Sequence, residues 1–175
     1  MQRRIARLTL FTCIAASVCL AQGGSRPSPA ASATCDLGGG ITITTDYSSP
    51  RAKGREIFGA LVPYGKVWRT GANEATTFVP SGDVIVGGKT VPAGSYTLFT
   101  VPDKDKWTLI INKKTGEWGI PYKYESEELG RVDMRVSKLD SPVEDFTISY
   151  VKSGRGCTMQ IKWEQTVASV DITAK

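Results

Sequence analysis

The chain has 175 residues, enough for one domain of ordinary size with its own hydrophobic core. It contains no histidine, which excludes Ser-His-Asp and Cys-His catalytic triads and the usual histidine-rich metal centres. The formal net charge of +5 falls to +2 without residues 1–21, which hold three of the 22 basic residues and none of the 17 acidic ones. A charge this small, with no Lys/Arg run longer than two residues, argues against a nucleic-acid-binding surface.

Residues 1–21 have the pattern of a cleaved secretory signal peptide. The segment begins with three arginines, continues as an apolar run over residues 8–20 and ends in a small-residue cleavage site at Ala21. The apolar run is shorter than the roughly 20 residues that a membrane-spanning helix needs. We therefore predict an exported protein, periplasmic or extracellular, with no membrane span in its mature form. A lipoprotein modified at Cys19 is a weaker interpretation, because lipidation signals usually place Gly, Ala or Ser where Val18 stands.

The next segment, residues 22–40, is predicted to be a flexible linker. Its first 13 residues are small and polar with two prolines, and they have nothing to bury. The β domain is therefore predicted to span residues 41–175.

Two cysteines, Cys35 and Cys157, remain after removal of the signal peptide. An even number of cysteines in an oxidising compartment predicts one disulfide, here between the N-terminal part of the chain and a late strand. A zinc site is the alternative, but two cysteines without a histidine support it poorly. We predict no metal and no cofactor.

From residue 41 onwards, strand patterns dominate. Gly87 and Gly88 predict a tight hairpin turn after a short β-branched run. Residues 107–112 are apolar on both faces, which predicts a central strand. Residues 157–164 alternate between apolar and polar side chains. We predict an all-β fold, a single antiparallel β-sandwich of jelly-roll or immunoglobulin-like type.

One or two short helical turns are expected within this β domain. Residues 56–62 place apolar side chains at helical spacing before Pro63, which would end the turn. Residues 125–130 are the second candidate.

The segment 54–76 has the most unusual composition, because it combines glycines and aromatics with Arg69, Asn73 and Glu74. Trp68 is large enough to anchor the segment. Arginine donates hydrogen bonds, glutamate accepts them and asparagine does both, so the three could hold a sugar or a carboxylate against Trp68. The alternative is structural: Arg69 and Glu74 pair with each other, and Asn73 bonds the backbone in a turn.

A second aromatic cluster contains Trp118 and Tyr122. Aromatic side chains on a loop after a hairpin suit stacking on a sugar ring or a peptide, so both residues are predicted to bind ligand. Alternatively, these rings cap one end of the sandwich.

Several of these segments resemble a family of secreted bacterial proteins, number 2911 in the series of domains of unknown function. The resemblance is carried by Trp-Arg-Thr-Gly-Ala-Asn-Glu at 68–74, Val-Pro-Ala-Gly-Ser-Tyr-Thr-Leu at 91–98, Trp-Thr-Leu-Ile-Ile-Asn at 107–112 and Glu-Trp-Gly at 117–119. It covers residues 41–172 and implies an exported, all-β domain with no established activity.

The leading functional hypothesis is non-catalytic binding of a small or extended polar ligand, carbohydrate or peptide. A hydrolase that uses Glu74 as a general acid or base is the first alternative. A structural or assembly module of the cell envelope, acting through sheet edges or an apolar patch, is the second.

Overall fold

The computed structural model describes residues 26–175, so the predicted signal peptide lies outside the described residues. The strands of this part of the chain are β1 (Ala30–Gly38), β2 (Ile41–Ser48), β3 (Thr76–Pro80), β4 (Val84–Val86), β5 (Lys89–Val91), β6 (Tyr96–Val101), β7 (Lys106–Asn112), β8 (Glu128–Ser153) and β9 (Gly156–Ala174). They form one antiparallel sheet with the order β1-β2-β3-β6-β7-β8-β9-β4-β5. The prediction of an all-β antiparallel domain is confirmed.

The sheet folds over along β8 and β9. Their pairing changes register twice, between Lys138 and Val143 and between Val143 and Thr147, and such bulges bend a strand pair. The second half of β8 therefore reaches β2, where the Tyr47 hydroxyl donates to the Ile148 carbonyl at 3.3 Å. In the described residues the hydrogen bonds define one open sheet, and the two separate sheets of a jelly-roll or immunoglobulin-like fold are not seen.

The core lies between the two halves of this folded sheet. Its largest part is an aromatic cluster in which the rings of Trp68 and Trp163 stack with centroids 6.0 Å apart. Phe146 meets the Trp68 ring edge-on at 5.2 Å, and Phe58 meets the Trp107 ring in the same manner at 4.8 Å. Aromatic pairs favour these geometries because of their quadrupoles. The cluster joins strands β7, β8 and β9 to the loop between β2 and β3.

Strand β7 confirms the prediction of a central strand. It pairs with β6 on one side and β8 on the other. Trp107, Leu109 and Ile111 are buried on one face, and Ile110 is fully buried on the opposite face.

The sheet begins earlier than the sequence indicated. Strand β1 lies within the predicted linker 22–40 and pairs with β2 along most of its length. Apolar residues alternate with polar ones over residues 31–37, but most of them are small and follow a Pro- and Ser-rich segment, so the strand was not predicted. Cys35 of β1 is also disulfide-bonded to Cys157 of β9, as predicted, across 122 positions of sequence.

The expected helical turn at residues 56–62 is wrong. The segment is a tight loop in which the Val62 N–H donates to the Ile57 carbonyl and Phe58 bridges to Val62. Gly59 has a φ of 97°, which lies outside the helical region, and a Cβ there would lie 2.8 Å from the Tyr64 ring. The second expected turn is confirmed as a short 3₁₀ helix, Glu125–Glu127.

None of the helical segments in residues 26–175 is both long and apolar enough to cross a membrane.

Candidate functional site

A cavity of about 310 Å³ opens where the loop between β2 and β3 meets the N-terminal arm, which we define as residues 26–29. Its lining includes Trp68 and Arg69 from that loop and Trp163 from β9. A larger cavity of about 540 Å³ lies beside it, near residues 142–144, but no aromatic side chain lines that one. The aromatic floor therefore singles out the smaller cavity.

Trp68 is held in place by the backbone on both sides. Its N–H donates to the Thr100 carbonyl at 2.7 Å, and the Thr100 N–H returns a bond to the Trp68 carbonyl at 2.9 Å. The indole Nε1–H donates to the Gly71 carbonyl at 3.1 Å. A Cβ on Gly71 would lie 2.9 Å from the Ser48 carbonyl oxygen, so the loop needs glycine at this position. The half-buried Trp68 ring is thus a rigid wall of the cavity.

Arg69 and Trp118 contact each other at the edge of the cavity. The guanidinium carbon of Arg69 lies 5.0 Å from the centroid of the Trp118 ring, a cation–π contact, and its Nη1 donates to the Trp118 carbonyl at 3.2 Å. The Ala75 N–H donates to the Glu117 carbonyl, which brings this loop to the cavity. Burial lowers the pKa of Arg69, and the charge of Glu74 partly opposes that shift.

Asn73 and Glu74 hold the N-terminal arm rather than Arg69. The Asn73 amide donates to the Ser28 carbonyl at 3.1 Å and to the Ser48 hydroxyl at 3.2 Å. Both carboxylate oxygens of Glu74 accept from Arg26 at 3.0 Å. The predicted structural pair with Arg69 is therefore replaced by a pair with the arm, which sequence alone could not place beside the loop.

The surroundings of Glu74 favour its ionised form. Its own backbone N–H and the Arg26 guanidinium hold its pKa below the ordinary value. A general acid needs a raised pKa to keep its proton near neutral pH. The geometry therefore gives no support to Glu74 as a proton donor.

Tyr122 lies apart from the cavity, on the outer face of β6 and β7. Its ring meets Phe99 at 4.8 Å, and its hydroxyl donates to Glu128 at 2.6 Å and accepts from Asn112 at 3.1 Å. Burial, followed by the bond to Glu128, raises its pKa. Tyr122 thus covers the sheet, and the structure does not bring it together with Trp68.

The Glu128 carboxylate beneath Tyr122 provides a pH-dependent test of this cluster. Hydrogen bonds from Arg131, and then from Tyr122, lower the pKa of Glu128. A depressed carboxyl pKa stabilises the fold above the unfolded-state value of about 4.5, and that stability is lost as the pH falls through the folded-state value. We expect Glu128→Gln to lower the free energy of unfolding by about 1–2 kcal/mol at pH 7, and the difference to shrink below pH 4.5.

Urea unfolding of Glu128→Gln and wild type at several pH values between 7 and 3 measures this difference. Glu127→Gln is the matched control, because Glu127 is an exposed neighbour with no ion pair among the described residues. A stability difference that stays constant down to pH 3 would contradict the prediction.

Nine cavity residues did not belong to the predicted site, among them Arg55, Leu61, Ile120 and Trp163. Trp163 was visible in the alternation of β9, where the pattern indicates only burial. Arg55 and Leu61 stand in the same glycine-rich segment as Trp68, but nothing in their spacing aims them at one cavity. Ile120 comes from a loop roughly 50 residues away, so only the fold reveals it.

Comparison with known proteins identifies a family but no individual protein. No curated protein and no solved structure matches the chain. The family model described as "Protein of unknown function (DUF2911)" matches residues 28–172. That range begins with the N-terminal arm and includes β1, in agreement with the extent of the sheet. The chain therefore belongs to the DUF2911 family.

Proposed function

We propose that this domain binds a small polar ligand, a carbohydrate or a short peptide, in the cavity between Trp68 and the N-terminal arm, without catalysis. One observation carries the proposal: Trp68 and Arg69 line the same cavity, with Trp163 stacked on Trp68 as its floor. A rigid aromatic face beside a charged donor suits a ligand with an apolar face and polar edges.

The size of the cavity supports this proposal. Its volume of about 310 Å³ lies at the lower end of the range of small-molecule sites, about 300–1,000 Å³. The tight backbone pairing of Trp68 with Thr100 means that the site is preformed, which limits the entropy lost on binding.

We also propose export of the protein. The disulfide between Cys35 and Cys157 favours an oxidising compartment, and the pattern of residues 1–21 is typical of a signal peptide. Periplasmic and extracellular locations are equally compatible with these features.

A larger side chain at a position that lines the cavity tests the binding proposal. Ala72 lines the cavity and is half-buried, so Ala72→Phe should occupy the space and weaken ligand binding at least tenfold. Titration of wild type with mono- and disaccharides and dipeptides, followed by tryptophan fluorescence, measures binding, because Trp68 and Trp163 line the site.

Ala93→Phe is the matched control, because Ala93 is exposed in the turn before β6 and does not line the cavity. We expect its affinities to equal those of wild type. The proposal would be refuted if wild type showed no saturable response to any saccharide or dipeptide, charged or neutral, or if a folded Ala72→Phe variant bound its ligand as tightly as wild type.

A further inference from the structure

Two arginines at the cavity lack an acidic partner. Among the described residues, Arg55 and Arg69 form no ion pair within 4.0 Å, although both line the cavity. The arginines that do form such a pair are Arg26, Arg51, Arg131 and Arg135. The remaining one, Arg155, stands in the exposed turn before β9. Two of the three described arginines without an ion pair therefore line this cavity.

Backbone carbonyls hold both guanidinium groups while leaving donors free. Arg55 donates from Nε to the Ala52 carbonyl at 2.9 Å and from Nη2 to the Arg51 carbonyl at 2.6 Å. To the described residues, Arg69 donates only from Nη1, to the Trp118 carbonyl. A guanidinium has five N–H donors, so four of them remain on Arg69 and three on Arg55 after these bonds to the described residues. Neutral carbonyls fix the position of these groups without cancelling their charge.

Arg69 gains most from an added anion. Its half-buried position penalises the charged form, as the lowered pKa shows. Among the described residues, the acidic group that acts on it is Glu74, whose carboxylate oxygens are already bonded to Arg26. An oxyanion beside Arg69 would compensate for this desolvation, and guanidinium groups bind carboxylates and phosphates in bidentate geometry.

The rim of the cavity also contains exposed apolar side chains. Leu61 is 48% exposed and Ile120 is 43% exposed, and both line the cavity. Trp118, which is 55% exposed, lies against Arg69. These three are half of the large hydrophobic residues that the described surface exposes, since the others are Tyr64, Val79 and Val151. Their concentration around the cavity indicates a ligand with an apolar face next to its charge.

We propose that the ligand of this cavity is an oxyanion, a carboxylate or a phosphate, attached to a ring. Arg55 and Arg69 bind the oxyanion, and the ring lies against Trp68 and the apolar rim formed by Leu61 and Ile120. This inference rests on the proposed function and specifies the class of ligand: a sugar acid, a sugar phosphate or the carboxylate of an aromatic peptide end.

Matched pairs of charged and neutral compounds test whether the ligand carries an oxyanion. Isothermal titration of wild type would compare D-glucuronate and glucose 6-phosphate with D-glucose, and N-acetylphenylalanine with its amide. We expect at least one anion to bind ten times more tightly than its neutral partner. The pair that shows this difference identifies the source of the oxyanion, and inorganic phosphate and acetate alone should bind more weakly because they lack the ring.

Two variants that remove a charge test whether Arg55 and Arg69 bind the oxyanion. Arg55→Gln and Arg69→Gln should each weaken binding of the anion at least tenfold while changing that of the neutral partner little. Arg135→Gln is the control, because Arg135 pairs with Asp171 away from the cavity. Thermal unfolding checks that the variants fold. If one variant does not fold, the matched pairs of compounds measured with wild type still decide whether the cavity prefers an oxyanion.

The outcomes separate the two proposals. If the charged and neutral compounds of each pair bound equally and Ala72→Phe blocked both, the proposal of an oxyanion ligand would fail. The proposed function would then still stand. Anion binding that survives both arginine substitutions would overturn the assignment to this site. If wild type bound neither these compounds nor any of the saccharide and dipeptide panel, the proposed function itself would fail, and this inference with it.

Discussion

Replacement of both Cys35 and Cys157 by alanine should lower the free energy of unfolding by about 4–5 kcal/mol, because the disulfide closes a loop across 122 positions of sequence. The bond joins β1, at one edge of the sheet, to β9 in its other half. Without it, the unfolded chain regains the freedom to separate these two segments. The folded state would then hold β1 through its pairing with β2, its packing on the folded sheet and the contacts of the N-terminal arm with Asn73 and Glu74.

Unfolding of the double variant and of wild type in guanidinium chloride measures the loss of free energy of unfolding. Dithiothreitol is an internal control, because it should bring wild type down to the stability of the variant and leave the variant unchanged. A loss below about 1 kcal/mol would show that β1 is held mainly by its strand pairing, contrary to this prediction.

The second large effect is expected at the centre of the aromatic cluster. Trp163 is 2% exposed, stacks on Trp68 and donates from Nε1 to the Glu144 carbonyl at 3.1 Å. Trp163→Ala leaves a large void and removes one of the two hydrogen bonds to the Glu144 carbonyl, so the free energy of unfolding should fall by about 3–5 kcal/mol. The same change removes the floor of the cavity, so ligand binding should be lost as well.

Trp118→Ala is the matched control for Trp163→Ala in urea unfolding. The Trp118 side chain is mostly exposed and has the Arg69 guanidinium as its cation–π partner, so we expect a loss of about 1 kcal/mol or less. Equal losses in the two variants would show that the aromatic cluster does not dominate the stability of the core.

Prediction from the sequence succeeded where local alternation of side chains carries the information. Strand β7, with Trp107 on one face and Ile110 on the other, was recognisable as central because a strand buried on both faces is apolar throughout. The pairing of Cys35 with Cys157 followed from simple counting. Trp68 and Arg69 stood out because a loop with their composition is unusual, and both line the cavity.

Prediction failed where contacts between distant segments decide the structure. The apolar residues that alternate with polar ones along strand β1 are mostly small, so the strand was missed in the sequence and became evident through its backbone bonds to β2. Glu74 meets Arg26 across 48 positions, and no local rule favours that partner over the nearby Arg69. Tyr122 follows Trp118 by four residues, yet it packs on the outer face of the sheet with Phe99.

By itself, the sequence determined the all-β class and the disulfide, because side-chain periodicity and the number of cysteines can be read without the fold. Only the tertiary structure decided that the sheet is single and folded over, since the bulges of β8 and β9 set where distant strands meet. It also placed Arg55 and Arg69 at one cavity beside Trp163. That juxtaposition depends on long-range packing, which local patterns do not record.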